Sequence, residues 1–149
     1  MAIWHDSFPL GFVAQHSQNT LVSHLGIEFL EAGDDYVTAR MPVDARTQQP
    51  ARMLHGGASV VLAETLASWA STFTVDREKN HCVGLEINAN HVRAVGSGWV
   101  IGTARAVHLG RSTQIWEVRI TDEAGRLVCI SRVTMAVLAM ANRYGAPAT

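Results

Sequence analysis

HGGASVVLAETLASWASTF, His55 to Phe73, is the stretch whose reading decides the fold. It opens on a histidine and two glycines. It then runs almost unbroken through apolar or small residues, among them Val60, Val61, Leu62, Leu66, Trp69 and Phe73. A helix apolar along one stripe lies on a surface, whereas one apolar nearly all round is buried on most sides. The stretch therefore predicts a long central helix, buried on most of its faces. Its one charge is Glu64. A carboxylate buried there without partners costs several kcal/mol, a large part of a small domain's stability. Glu64 is therefore expected to do chemistry, with the flanking strands forming the wrapping and the substrate pocket.

Composition bounds the rest. The 149 residues suit a single domain over 1–149, since domains cluster near about 100–150 residues. A hydrophobic share of 48% is that of a globular chain. A formal net charge of -1 argues against nucleic acid or an anionic membrane as the main partner. The two cysteines, Cys82 and Cys129, form no CxxC and point to a reducing compartment. The opening MAIWHDSFPL lacks a basic segment followed by an apolar one. No run approaches the ~20 apolar residues of a spanning helix. The expectation is a cytoplasmic, soluble protein.

Working outward from the helix, residues 1–24 read as an N-terminal helical cover, with Pro9 near its start and Gly26 ending it. Ile27–Leu30 and Tyr36–Val43 read as a hairpin turned by Gly33-Asp34-Asp35. The polar loop DARTQQPARM leads to the helix start. Beyond the helix, strands are predicted over His81–Ala94, Trp99–His108, Gln114–Thr121 and Leu127–Ala139. In the first of these, Val83, Leu85, Ile87 and Ala89 are set against Glu86, Asn88 and Asn90, and in the third, Trp116, Val118 and Ile120 alternate with Glu117 and Arg119. A tail over 142–149 reads as loose. One long helix and about six strands joined mostly by tight turns make an α+β fold, an antiparallel sheet with the helix against one face.

The chemistry-bearing residues have plain alternatives. Helix N-termini present unpaired N–H groups and roughly half a positive charge. Glycines there let a ligand approach closely, so His55-Gly56-Gly57 is either a holder for a carbonyl oxygen gaining negative charge or only a tight turn. Glu64 and Ser68, four apart, share a face and could activate a water or attack a carbonyl. Alternatively, Glu64 pairs with an arginine such as Arg93 or Arg105, and Ser68 bonds back to the helix. Glu64 lies nine residues after His55, about 13 Å along the axis and close to the opposite side. One helix cannot bring both groups to one carbon. A two-fold dimer with antiparallel helices could, which predicts a shared site. His91 with Arg93, and Arg111 with Ser112, are candidate phosphate contacts or simply solvated. No HExxH, paired Cys/His spacing, Walker A loop or GxSxG occurs, so no metal site is expected.

At MLHGGASVVLAETLAS, Met53–Ser68, the chain resembles the hotdog-fold acyl-CoA thioesterases. MPVDARTQQP before it, GLEINANHVR over Gly84–Arg93 and HLGRSTQIWEV over His108–Val118 extend the likeness, which looks like the aryl-CoA branch. The resemblance implies hydrolysis of an aromatic acyl-CoA thioester to the free acid and CoA, with an acyl or aryl carrier protein thioester as the alternative substrate and a non-catalytic acyl-CoA-binding protein as the further alternative. It implies Glu64 as nucleophile or general base, Ser68 orienting water, and Gly56 N–H polarising the carbonyl with His55 and Gln49 assisting. It implies no cofactor, CoA being part of the substrate. Gly57, Trp69, His91, Arg93, Arg111 and Ser112 fall where substrate contacts are expected. The resemblance also implies subunits that share sites, assembled as a homotetramer, a dimer of dimers. Trp69 stands where relatives carry a smaller aliphatic residue or Met, at the border of the acyl pocket.

Overall fold

A computed structural model describes residues 1–140. The elements run α1 (Leu10–His16), α2 (Leu21–His24), β1 (Glu28–Ala32), β2 (Tyr36–Pro42), α3 (Gly56–Phe73), β3 (Asn80–His91), β4 (Trp99–Leu109), β5 (Thr113–Asp122) and β6 (Leu127–Ala139). The strands form one antiparallel sheet in the order β1-β2-β4-β5-β6-β3. α3 crosses β2 through β6 on one face. This is the α+β hotdog architecture predicted above. The tail beginning at Asn142 lies outside the described residues.

The strands alternate as a half-covered sheet should. Val37, Ala39 and Met41 of β2, Val100 and Ala104 of β4, and Trp116, Val118 and Ile120 of β5 are buried against the helix. Gly102 sets the spacing, because a Cβ there would stand 2.6 Å from Leu66 Cδ1. Leu62 and Leu66 are fully buried on this face, each contributing about 1.5–3 kcal/mol of burial. At its C-terminal end α3 is tied to β5. Gln114 Nε2 donates to Thr74 Oγ1 at 2.8 Å, and Trp116 Nε1–H donates to Gln114 Oε1 at 3.0 Å. The buried indole N–H, amide and hydroxyl satisfy one another.

Three expectations need correcting. First, α3 is buried on its sheet side only. Val60, Val61, Glu64, Thr65, Ser68 and Trp69 form an outer face that is half-buried in the single chain, so an all-round apolar sequence does not make an all-round buried helix here. Second, the N-terminal cover is two short helices. Asn19 takes φ 58 between them, and Thr20 starts α2 with a capping box closed by Ser23. Gly26, at φ 71, ends α2 in the left-handed conformation that glycine adopts freely. Third, β3 does not alternate throughout. Its pairing with β6 slips between Gly84 and Glu86, leaving Leu85 as an extra residue that is 63% exposed.

The cover packs on the far end of α3. Phe8 meets Phe73 edge-on at 5.0 Å and Trp4 at 5.1 Å, while Trp4 Nε1–H donates to the Gly33 carbonyl at 2.7 Å. Among the described residues no helix is long and apolar enough to cross a membrane.

Candidate active site

The loop before α3 is tied down residue by residue. Thr47 Oγ1–H donates to the Pro42 carbonyl at 2.6 Å, and His55 N–H donates to the Thr47 carbonyl at 2.8 Å. Leu54 N–H reaches the Val95 carbonyl at 2.7 Å. Gln48 Nε2 donates to the Gly96 carbonyl at 2.9 Å. These bonds deliver His55 in an extended conformation as the N-cap of α3, where its Nδ1 accepts from Gly57 N–H at 2.8 Å. Gly56 N–H, one residue earlier, donates to no acceptor among the described residues. An unpaired amide at the positive end of an 18-residue helix is a donor in search of an anion or a polarised carbonyl.

What surrounds that amide is a cleft of about 470 Å³ whose lining includes Gln49, Gly56, His91 and Arg93. The last residue of β3, His91, lays its ring against Gly56, and a Cβ at Gly56 would stand 2.9 Å from His91 Nε2. Gln49 Oε1 accepts from Ala51 N–H at 2.5 Å, which leaves the Gln49 Nε2 amide without an acceptor among the described residues. The cleft thus gathers the free Gly56 N–H, a free side-chain amide, an imidazole and a guanidinium, and no carboxylate.

Glu64, Ser68 and Trp69 occupy a second cleft, of about 360 Å³, walled by Leu21, Val22 and Val61. Glu64 is half-buried rather than enclosed, which corrects the picture of a carboxylate sealed in apolar surroundings. It forms no ion pair among the described residues, and Arg105, one of its candidate partners, pairs with Asp35 at 2.8 Å instead. The carboxylate lies against β3, where a Cβ on Gly84 would stand 2.5 Å from Glu64 Oε1. Ser68 Oγ bonds nothing among the described residues. The bonds back along the helix are made to the Ser68 carbonyl, by Ser71 Oγ–H at 3.0 Å and Thr72 Oγ1–H at 2.8 Å.

The structure therefore brings Gln49, Gly56, His91 and Arg93 together, with His55 and Gly57 at the rim as the cap, and separately brings Glu64, Ser68 and Trp69 together. Arg111 and Ser112 sit in the β4–β5 turn and line neither cleft. Sequence reading passed over Gly84 and the cover residues Leu21 and Val22. A lone glycine inside a strand pattern was the usable signal for the first, since it marks a bulge or a close approach. Nothing local distinguished the other two. The cysteines offer no rival nucleophile. Burial pushes both the Cys82 and Cys129 thiols up from their ordinary range, away from the reactive thiolate. No group of three or more His, Cys, Asp or Glu residues gathers to hold a metal ion among the described residues.

Comparison with known proteins places this geometry in a family. The family model described as Thioesterase superfamily matches residues 52–129, which span the start of α3 with the residues before it, the rest of α3, β3 to β5 and the first residues of β6. The chain belongs to the thioesterase superfamily. The proofreading thioesterase EntH of Cronobacter turicensis is 50% identical over 91% of this chain and 98% of its own. The 1,4-dihydroxy-2-naphthoyl-CoA hydrolase of Escherichia coli is 47% identical over 91% of this chain and 99% of its own. A crystal structure of a glutamine-to-alanine mutant of a Pseudomonas aeruginosa thioesterase superposes with a TM-score of 0.92 at 47% identity, covering 93% of this chain and 100% of that one. The protein is thus a hotdog-fold thioesterase, a hydrolase of thioesters.

Proposed function

We propose that this thioesterase hydrolyses aromatic acyl-CoA thioesters to the free acid and CoA, at sites each built from two copies of the chain. The observation that carries the reading is the unpaired Gly56 N–H at the head of α3, a fixed donor for a thioester oxygen that becomes negative as the carbonyl is attacked. Gln49 Nε2 offers a second donor in the same cleft. Glu64, in an apolar cleft with a free hydroxyl one turn away, is the nucleophile or the general base. As nucleophile it forms a mixed anhydride and expels the CoA thiolate, and water then cleaves the anhydride. As base it takes a proton from the water that attacks directly, and that proton leaves with CoA as its thiol. Either way one water is consumed and one acid is released. Ser68 Oγ is placed to orient the water. His91 and Arg93, and Arg111 with Ser112 at the β4–β5 turn, are the cationic and polar groups proposed for the CoA phosphates.

Two copies are required because Gly56 and Glu64 face different clefts of one chain. A two-fold pairing sets the glycine end of one α3 beside the glutamate of the other. The aromatic acyl group is favoured by Trp69, whose ring stacks within 13° of parallel to Phe73 and edges the Glu64 cleft. The CoA carrier is favoured by the likeness to the 1,4-dihydroxy-2-naphthoyl-CoA hydrolase. We propose further that it works in the cytoplasm as a dimer of dimers, with no cofactor beyond the CoA of its substrate.

The test uses benzoyl-CoA. Glu64→Gln and Gly56→Ala are each expected to lose about a hundredfold or more in kcat while remaining folded. Mixing the two variants after reversible dissociation should restore about a quarter of the wild-type rate, because half the hybrid sites combine an intact Gly56 with an intact Glu64. Hydrolysis by Glu64→Gln within about tenfold of wild type refutes the role of the carboxylate. No recovery on mixing refutes the shared site.

A further inference from the structure

His55 caps its own helix with an atom that can be protonated. A ring nitrogen accepts an N–H only where it keeps a lone pair, so the bond from Gly57 N–H to His55 Nδ1 selects the neutral imidazole carrying its proton on Nε2. The usual N-cap acceptors Asn, Asp, Ser and Thr do not change charge between about pH 5 and 9, and His is not among them. The ring lies directly over the first turn. A Cβ at Gly57 would stand 2.9 Å from His55 Nδ1 and 3.0 Å from Cε1, so the glycine is what lets the imidazole close on the amide. Gly56 lies between the capping residue and the capped amide, and its own N–H is unpaired.

A proton added at Nδ1 turns this acceptor into a donor. Two N–H groups then oppose each other and the cap opens, which leaves the first turn held only through the His55 carbonyl, the acceptor for Ala58 N–H at 3.0 Å and Ser59 N–H at 3.3 Å. Within the single chain the ring makes no ion pair among the described residues, and in the proposed pairing the carboxylate nearest the helix head is Glu64 of the partner subunit. The charged and titratable residues lining the cleft are His91, at the end of β3, and Arg93 just beyond it. Arg52 stands in the loop before α3. The helix end itself carries partial positive charge.

We infer that His55 is a positioning residue that holds the Gly56 N–H in line through its cap on Gly57, and that protonation at Nδ1 releases the cap and turns hydrolysis off at acid pH. The inference rests on the proposal that Gly56 N–H polarises the thioester carbonyl. The expected loss falls on kcat more than on KM, because that donor matters most when charge develops on the oxygen.

Two measurements test it. The first follows the Gly57 amide resonance of the intact, substrate-free protein by ¹⁵N NMR from about pH 5 to 9, the range in which a histidine changes charge. The second takes pH profiles of kcat and KM for benzoyl-CoA in wild type, His55→Ala, His55→Asn and His91→Asn. The Gly57 amide should titrate as a single-proton step, and the acid limb of kcat in wild type should share its midpoint. His55→Ala should lower kcat about tenfold or more at alkaline pH. His55→Asn, which can accept the same N–H at every pH, should recover most of that loss and lack the acid limb. His91→Asn should keep the limb. The inference is overturned if the Gly57 amide does not titrate, if His55→Asn is no better than His55→Ala, or if its acid limb persists at the wild-type midpoint. Failure of the parent assignment reads differently, for the Gly57 amide would then still titrate while His55→Ala kept wild-type kcat at alkaline pH.

Discussion

Replacing Gly56 by alanine tests the site with a single carbon. The added Cβ would stand 2.9 Å from His91 Nε2, 3.0 Å from Cε1 and 3.3 Å from Cδ2. Ordinary van der Waals contacts of a Cβ begin at 3.4 Å, so either the imidazole or the start of α3 must give by about half an ångström. A misplacement of about 1 Å at a reacting centre can cost a hundredfold, and loss of one oxyanion donor costs about a hundred- to a thousandfold in kcat. Gly56→Ala is therefore expected to lower kcat by about a hundredfold, close to 2.7 kcal/mol of transition-state stabilisation, with a much smaller change in KM. Steady-state hydrolysis of benzoyl-CoA, followed by thiol release, reads both constants, and circular dichroism with a melting curve confirms the fold. The steric route is tested by the double variant Gly56→Ala with His91→Gly, which opens the space the Cβ needs. Relative to His91→Gly alone, the alanine should then cost far less than it does in the wild-type background. A Gly56→Ala enzyme, which keeps the N–H, within about threefold of wild type refutes the displacement of the donor by the added carbon. An undiminished cost in the double variant refutes the clash with His91.

Two further outcomes concern the fold. Gln114→Leu strands the Trp116 indole N–H and removes the donor to Thr74 at the end of α3; it should destabilise the protein by about 1–3 kcal/mol in urea unfolding, and an unchanged midpoint would show that the connection contributes nothing. Asp122 is held below the usual carboxylate range, first by the backbone N–H of Arg126, bonded to Oδ1 at 2.9 Å, and then by the Arg126 guanidinium at 2.8 Å from Oδ2. Since its folded value lies below the unfolded one, about 3.9, its stabilisation is complete above that value and is lost as pH falls through the folded one. Asp122→Asn should therefore flatten the acid end of the stability curve below about pH 4, as read by denaturant midpoints against pH. An acid limb as steep as that of wild type would refute the assignment.

The sheet was legible where alternation ran unbroken. Trp116, Val118 and Ile120 announced the inner face of β5, and each is fully buried. Alternation misled in β3, because a period of two assumes an uninterrupted ladder and Leu85 is an inserted residue without a partner. The division of the cover into two helices leaves little sequence signal, because Thr20-x-x-Ser23 carries serine where a capping box usually shows Glu or Gln. For the site, the nine-residue separation of His55 and Glu64 foretold that one chain divides its candidate groups between two clefts, and it does. The burial of Glu64 was overestimated because Val60, Val61 and Trp69 count as core in an apolarity pattern, yet they face outward here. The histidine cap had no usable sequence signal, since its acceptor belongs to a residue type that seldom caps helices.

The division of Gly56 and Glu64 between two clefts carries a consequence for inheritance. On the shared-site proposal, a gene copy with one of the two lesions dilutes its normal counterpart only in proportion, because each mixed pair still assembles one complete set. A gene copy bearing both lesions spoils every pair it enters, and at equal expression leaves about a quarter of the sites whole. The single alleles should behave as recessive and the double allele as dominant, a distinction that growth on a thioester-dependent medium can score without purifying anything.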